Sequence, residues 1–280
     1  MSLLREEFEK SGFIILRNII PHHLIDDAIS DCKGKYTNGV GRLNEERRIQ
    51  DAWKFSNSVK KIACSEYVLK FLTELVPAAT FYPFQTLNFE IGSEQPVHSD
   101  SVHFSTIPFG QMVGVWVALE DVDRENGPLV YYPRSHLLPA LEGLNQAFPR
   151  SPVRDPYRHY QDYEKIVSSI VKNLELRPSF GNLAKGDAVV WSSGLFHGGS
   201  AIKDHGRTRL SQVTHYFARG SVPYTPLTSH FLNTRLTLRR PYNILDGKRM
   251  GYLDLIRACY ANRFSIFTIL KSLIHTKVSS

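Results

Sequence analysis

The chain has 280 residues, is 42% hydrophobic and carries a formal net charge of +7, the profile of a globular chain rather than a disordered or fibrous one. Its longest apolar run, 112–119, is too short to cross a bilayer, and Met1-Ser2-Leu3-Leu4-Arg5-Glu6-Glu7 meets charge too early for a secretory leader, so a cytoplasmic chain with no membrane span is expected. The basic excess is spread along the chain, which argues against a nucleic-acid partner and favours a small anionic ligand, while Cys32, Cys64 and Cys259 are too few and too scattered for a disulfide framework or a thiolate metal cluster.

In chain order, residues 3–10 read as a short helix that Gly12 ends, and Phe13-Ile14-Ile15-Leu16 reads as a buried strand. Pro21 opens a second helix on which Leu24, Ile25, Ala28, Ile29 and Cys32 recur at helical spacing, and 59–75 give a third. From Thr80 the pattern changes to short extended runs separated by Gly, Pro and Asn. Strands are expected at 80–91, 98–107, 112–122, 128–132, 187–192 and 209–217, with a turn at Glu125-Asn126-Gly127-Pro128. The reading is a mainly β core over about 80–220 with flanking helices, in a single domain covering 1–280.

Between about 139 and 183 the strand periodicity disappears, and the segment becomes rich in Arg, Tyr and Pro. A long insertion of this kind reads as a lid, with Arg150, Arg154 and Arg158 placed to meet an anionic substrate. A C-terminal helix over about 251–276 carries Leu253, Ile256, Tyr260, Phe264, Phe267, Leu270 and Ile274 on one stripe. Packing on the domain is the ordinary reading of that stripe, and a homodimer contact or a membrane-surface helix is the alternative.

The chemistry concentrates at His98-Ser99-Asp100, the only His-x-Asp/Glu triplet in the chain. About one such triplet is expected by chance, so context has to decide. In an extended segment His98 and Asp100 point to the same side, and an apolar strand follows. His197, at the end of Val189-Val190-Trp191-Ser192-Ser193-Gly194-Leu195-Phe196-His197, supplies a second imidazole. Two histidines and one carboxylate on one face of Fe(II) leave positions open for a bidentate 2-oxo acid and O₂. A dicarboxylate co-substrate also needs a cation for its far end, and guanidinium is the best partner because its planar fork pairs bidentately. Arg209 shares a strand face with Ser211, Val213 and His215 and is the preferred candidate; Arg207 is the alternative.

These residues resemble the phytanoyl-CoA dioxygenase (PhyH-like) family of Fe(II)/2-oxoglutarate-dependent oxygenases. The resemblance rests on the Gly12-Phe13 opening, His98-Ser99-Asp100, Trp116 within Gly114-Val115-Trp116-Val117-Ala118-Leu119-Glu120, Glu125-Asn126-Gly127-Pro128-Leu129-Val130 and Pro133-Arg134-Ser135-His136. Gly186-Asp187 before a strand, and His197-Gly198 followed by an arginine and an aromatic-ended strand, complete it over roughly residues 5–220. It implies a double-stranded β-helix (jelly-roll, cupin-like) core, His98, Asp100 and His197 as iron ligands, and Arg209 on the distal carboxylate of 2-oxoglutarate. Asn88 and Trp116 fall where relatives place co-substrate contacts or packing; the family's small hydroxyl residue two places after the distal histidine is here Gly199, and Ser200, the next residue, is the co-substrate candidate there. Gln85, His103 and Thr106 are candidates for substrate contact.

The implied reaction oxidises 2-oxoglutarate to succinate and CO₂ while hydroxylating an unactivated C–H bond of a small anionic molecule. Asp100 argues against halogenation, because related halogenases have a small residue there. The competing readings are a cupin-like Zn or Mn isomerase or hydrolase, against which the arginines weigh, and a non-catalytic module that binds metal or 2-oxoglutarate.

Overall fold

The computed structural model describes residues 3–38, 47–76, 79–139, 156–229 and 236–265, together with 268, 269 and 272. Its elements run α1 (Leu3–Ser11), β1 (Phe13–Leu16), α2 (His22–Cys32), β2 (Thr37–Asn38), β3 (Arg47–Gln50), α3 (Asn57–Ala63), α4 (Glu66–Leu75) and β4 (Phe81–Phe89). There follow β5 (Ser105–Ile107), β6 (Met112–Ala118), β7 (Leu129–Tyr131), α5 (Pro156–Asn173), β8 (Ser179–Phe180), β9 (Ala188–Ser192), β10 (His197–Gly199) and β11 (Ser211–Ala218). The chain continues through β12 (Val222–Tyr224), β13 (Tyr242–Asn243), β14 (Lys248–Arg249) and α6 (Tyr252–Ala261).

A seven-stranded antiparallel sheet in the order β1-β9-β6-β11-β4-β3-β2 forms one wall of a jelly roll. The opposing wall consists of the short sheets β10-β7-β8 and β12-β5. Sequence periodicity in β6 explains how the large sheet is covered on both sides. Val113, Val115 and Val117 pack with Ile25, Val59, Ile62, Phe71 and Leu72 of α2–α4, while Trp116 and Ala118 face inward with Val189, Trp191, Val213 and Tyr131. A strand buried on both faces has no polar alternation to show, and every residue of β6 is buried.

Several boundaries differ from the sequence expectation. The expected helix over 59–75 is two helices, because Ser65 caps α4 by accepting from the Val68 N–H. The expected strand over 98–107 is interrupted: Asp100–Val102 form a 3₁₀ turn, and pairing resumes only at Ser105. The 139–183 stretch contains an ordered helix, α5, that the loss of strand periodicity had hidden. Arg150 and Arg154 lie outside the described residues, and Arg158 sits in the first turn of α5.

The single C-terminal helix over 251–276 is also corrected. α6 ends at Ala261, after which Arg263 adopts φ 61° and turns the chain. Leu255, Ala258 and Cys259 pack on Val222, Tyr224 and Leu238, whereas Leu253 and Tyr260 stay exposed. Among the described residues no helix is long and apolar enough to cross a membrane.

Candidate metal centre and co-substrate site

His98 and His197 are brought together by the main chain. They form an isolated antiparallel bridge in which the His98 N–H donates to the His197 carbonyl at 2.9 Å and the His197 N–H donates to the His98 carbonyl at 2.8 Å. Residues paired this way project their side chains to the same face, and the two imidazole centroids lie 4.6 Å apart. Each Nδ1 is tied to a nearby backbone carbonyl, that of Pro96 at 2.9 Å for His98 and that of Leu195 at 3.0 Å for His197. An Nδ1–H donated to a carbonyl leaves a bare Nε2 as the metal-binding atom.

Asp100 reaches the same point from the start of the 3₁₀ turn. Its Oδ1 lies 3.6 Å from His197 Nε2 and 3.9 Å from His98 Nε2. The other oxygen, Oδ2, accepts from the indole N–H of Trp191 at 2.8 Å and lies 3.4 Å from His215 Nε2. One carboxylate oxygen is thus held by the protein and the other is left facing the imidazoles. The ligand atoms of His98, Asp100 and His197 all fall within 4.8 Å of one another, and the residues are 6%, 6% and 5% exposed.

The protonation states suit a divalent metal. Burial, reinforced by neighbouring His197, lowers the His98 pKa to about 3, so its ring is neutral at physiological pH. Burial alone would raise the Asp100 pKa, but the imidazoles of His197, His215 and His98 outweigh it and hold the carboxyl well below the usual carboxylate range. A neutral imidazole and an ionised carboxylate are the forms that ligate. The donor set therefore fits Fe(II), as a mixed nitrogen and oxygen site with open positions should.

The large sheet supplies the support. Trp191 fits over the site only because residue 114 is glycine: a Cβ there would lie 2.4 Å from the indole ring. On β11, Ser211, Val213 and His215 face inward, and Arg209 precedes them on the same side. Arg209 is buried, donates from Nη1 to Ser211 Oγ at 2.8 Å, and lies 5.5 Å from the Trp116 ring and 5.6 Å from the Phe89 ring.

Arg207, the alternative, is turned away. Its Nη1 contacts both carboxylate oxygens of Asp123, at 3.0 and 2.9 Å, in a partly exposed pair. Asn88 is also removed from the co-substrate site. It lies on the helix-facing side of β4, where its amide donates to Gln212 at 3.3 Å, one residue out of phase with the inward face. Ser200 donates to the Pro128 carbonyl at 2.7 Å rather than facing the triad. The preceding Gly199 has no room for the family's hydroxyl residue, because a Cβ there would lie 2.6 Å from the Glu94 backbone nitrogen.

Of the expected substrate contacts, Thr106 is corrected to a turn-stabilising residue whose hydroxyl donates to the Pro108 carbonyl at 2.8 Å. Gln85 lies 3.0 Å from His215 Nδ1, so it steadies the histidine behind Asp100. His103 stays beside the triad, its N–H donating to the Asp100 carbonyl at 2.9 Å and its ring 4.6 Å from that of Tyr160.

Tyr160, Tyr163 and Gln95 carry no motif signal, yet they close this side. The Tyr163 hydroxyl accepts from the Ser99 N–H at 3.0 Å and lies 2.6 Å from Ser99 Oγ, fixing the residue between the two ligands to α5. Gln95 donates to the Tyr160 hydroxyl at 3.3 Å and lies 3.4 Å from His98 Nε2.

A model of the phytanoyl-CoA dioxygenase (PhyH) family matches residues 8–209. The chain belongs to this family. It is 24% identical over 241 residues to a probable phytanoyl-CoA dioxygenase of Caenorhabditis elegans, a match covering 72% of this chain and 70% of that protein. Identity to the peroxisomal phytanoyl-CoA dioxygenase of Bos taurus is 31% over 132 residues, covering 47% of this chain and 36% of the bovine protein. A Danio rerio phytanoyl-CoA dioxygenase domain-containing protein matches over 62 residues at 42% identity, covering 22% of this chain and 20% of its own length.

Among solved structures, the epimerase SnoN in complex with Fe3+, alpha ketoglutarate and nogalamycin RO gives a TM-score of 0.60 at 18% identity, covering 82% of this chain and 87% of SnoN. EctD from S. alaskensis with 2-oxoglutarate and 5-hydroxyectoine gives 0.57 at 17% identity, over 79% of this chain and 78% of EctD. The family's fold and this chain's jelly roll agree.

Proposed function

We propose that this chain is an Fe(II)- and 2-oxoglutarate-dependent oxygenase that hydroxylates an unactivated C–H bond of a small anionic molecule, releasing succinate and CO₂. The observation carrying this reading is the convergence of His98, Asp100 and His197 in the same interior as the buried Arg209. His98, Asp100 and His197 would hold Fe(II) there, and with 2-oxoglutarate and O₂ it would supply the oxidising power, as cofactors do in such reactions.

The protein's own contributions follow from the geometry. His98 and His197 present Nε2, and Asp100 presents Oδ1 while Trp191 and His215 fix Oδ2. Arg209 binds the far carboxylate of 2-oxoglutarate, with the Trp116 and Phe89 rings limiting water around the guanidinium. α5 screens the open side through Tyr160 and Tyr163. A carboxylate at Asp100, where related halogenases have a small residue, supports hydroxylation or a similar oxidation.

Anaerobic protein given Fe(II) and 2-oxoglutarate should develop the weak visible charge-transfer band of the chelate and lose it in His98→Ala. Absence of the band in fully loaded wild-type protein would remove the reading. The hydroxylation step is tested separately: product formed under ¹⁸O₂ should carry the label, whereas an unlabelled isomerised or cyclised product would assign a different outcome to the same site.

A further inference from the structure

A second guanidinium lies on the outer side of the site, beyond the stretch matched by the family model. Arg239 is carried by the segment that follows the Tyr224–Leu238 bridge, and its backbone N–H donates to the Pro223 carbonyl at 2.9 Å. Its guanidinium stacks 4.7 Å from the Phe104 ring centre, and Nη1 donates to Thr225 Oγ1 at 2.8 Å. Nε is buried without a hydrogen-bond partner, and among the described residues no carboxylate pairs with the side chain.

Phe104 leads directly back to the metal centre. Its ring is 5.3 Å from that of His215, which approaches Asp100, and 6.1 Å from that of His103, the ring that meets Tyr160. Arg239 is thus linked to the triad through Phe104, His215 and His103, whereas Arg209 contacts Phe89 and Trp116, so the two guanidinium groups have separate surroundings suited to two different ligands.

A cation partly withdrawn from water, its Nε buried and no anion beside it among the described residues, costs the fold part of its solvation. Burial lowers the Arg239 pKa to about 10, which leaves it charged at neutral pH. Its hydroxyl and ring contacts supply part of the lost solvation but no countercharge. Such a group, one aromatic ring away from His215 and His103, is stabilised when a ligand brings the negative charge.

We infer that Arg239 binds an oxyanion of the substrate, a carboxylate or phosphate, and so sets the substrate class and the distance from that anion to the carbon oxidised. This rests on the oxygenase reading above, and it assigns specificity to the C-terminal segment in addition to α5. The fork of the guanidinium, held on one face by Phe104, favours a planar carboxylate or a phosphate over a halide or an alcohol.

The test uses wild-type protein saturated with Fe(II) and 2-oxoglutarate without oxygen, in which the charge-transfer band has been confirmed. Short- and medium-chain carboxylic acids, alkyl phosphates and the matching primary amides are titrated, with Tm as the readout. Acids or phosphates should half-saturate at concentrations about 10- to 100-fold below their amides, as expected when a charge-assisted pair replaces a neutral one.

In Arg239→Gln the advantage of the acids should vanish, while the 2-oxoglutarate concentration giving the half-maximal band stays unchanged. Arg239→Lys, which keeps the charge but not the fork, should retain part of the advantage. Amides that bind as well as acids, no binding by any acid or phosphate, or an Arg239→Gln protein that keeps the preference would each overturn the proposal. If Arg239→Gln does not fold, the acid–amide comparison in wild type and Arg239→Lys still decides it. A missing band instead counts against the oxygenase reading and leaves the two failures distinct.

Discussion

The two sides of the site are built differently. On the metal side, the ligand spacing is set by a main-chain bridge, both imidazoles are oriented by carbonyls, and the second carboxylate oxygen is held by Trp191 and His215. On the other side, Tyr160 and Tyr163 of α5, the His103 ring and the Arg239 guanidinium meet one another and the ligand segment through side chains, and among the described residues the Arg239 Nε has no hydrogen-bond partner. The first arrangement resists change and suits a reaction core. The second is open to replacement residue by residue, which is where substrate choice can vary without disturbing oxygen activation.

The sharpest break of this comparison comes from the ligands. Asp100→Ala should reduce turnover to background and weaken Fe(II) binding in equilibrium titrations, because it removes the only carboxylate among the three residues of the triad. An unchanged Fe(II) affinity would mean that the carboxylate is not a ligand.

Next in size is the arginine pair. Arg209→Ala should raise the half-saturating 2-oxoglutarate concentration by on the order of 100-fold, since truncating one partner of a buried charge pair costs about 2–5 kcal/mol. Arg207→Ala, whose partner Asp123 sits at a partly exposed turn, should change it less than about threefold. Equal effects would mean that burial does not distinguish the two.

Trp191→Phe should weaken Fe(II) binding about 10- to 100-fold in equilibrium titrations, the usual cost of losing an outer hydrogen bond to a ligand. The same readout checks Gly114→Ala, whose methyl would drive the indole off Asp100 and cost about 1–3 kcal/mol of unfolding free energy by overpacking. The smallest effect is expected on the other side: Tyr163→Phe should cost about 1 kcal/mol in denaturant titration with Fe(II) affinity nearly unchanged.

The same division explains how much the chain disclosed before its structure was known. His98-Ser99-Asp100 and His197 were legible because an apolar strand follows the first and precedes the second, and Arg209 as a candidate because a period of two places it with His215. Arg207 and Asn88 misled because spacing does not reveal which face a residue adopts once β11 begins at Ser211 and β4 packs its other side on helices. α5 was hidden by Pro, Tyr and Arg, which carry no strand period and a weak helical one. Trp191 reads from sequence as ordinary core, and only the vacancy at Gly114, brought opposite by β6–β9 pairing, turns its indole toward Asp100. Arg239 gave no signal at all, because its neighbour Phe104 is remote in the chain.

The reciprocal hydrogen bonds between His98 and His197 set the separation of the two imidazoles by the pitch of an antiparallel backbone pair, a length that no side-chain replacement alters. A lineage can therefore rewrite nearly every residue around these two positions and still inherit the same gap between nitrogens, so that drift in sequence is free to act on what is oxidised while the place of oxidation stays constant.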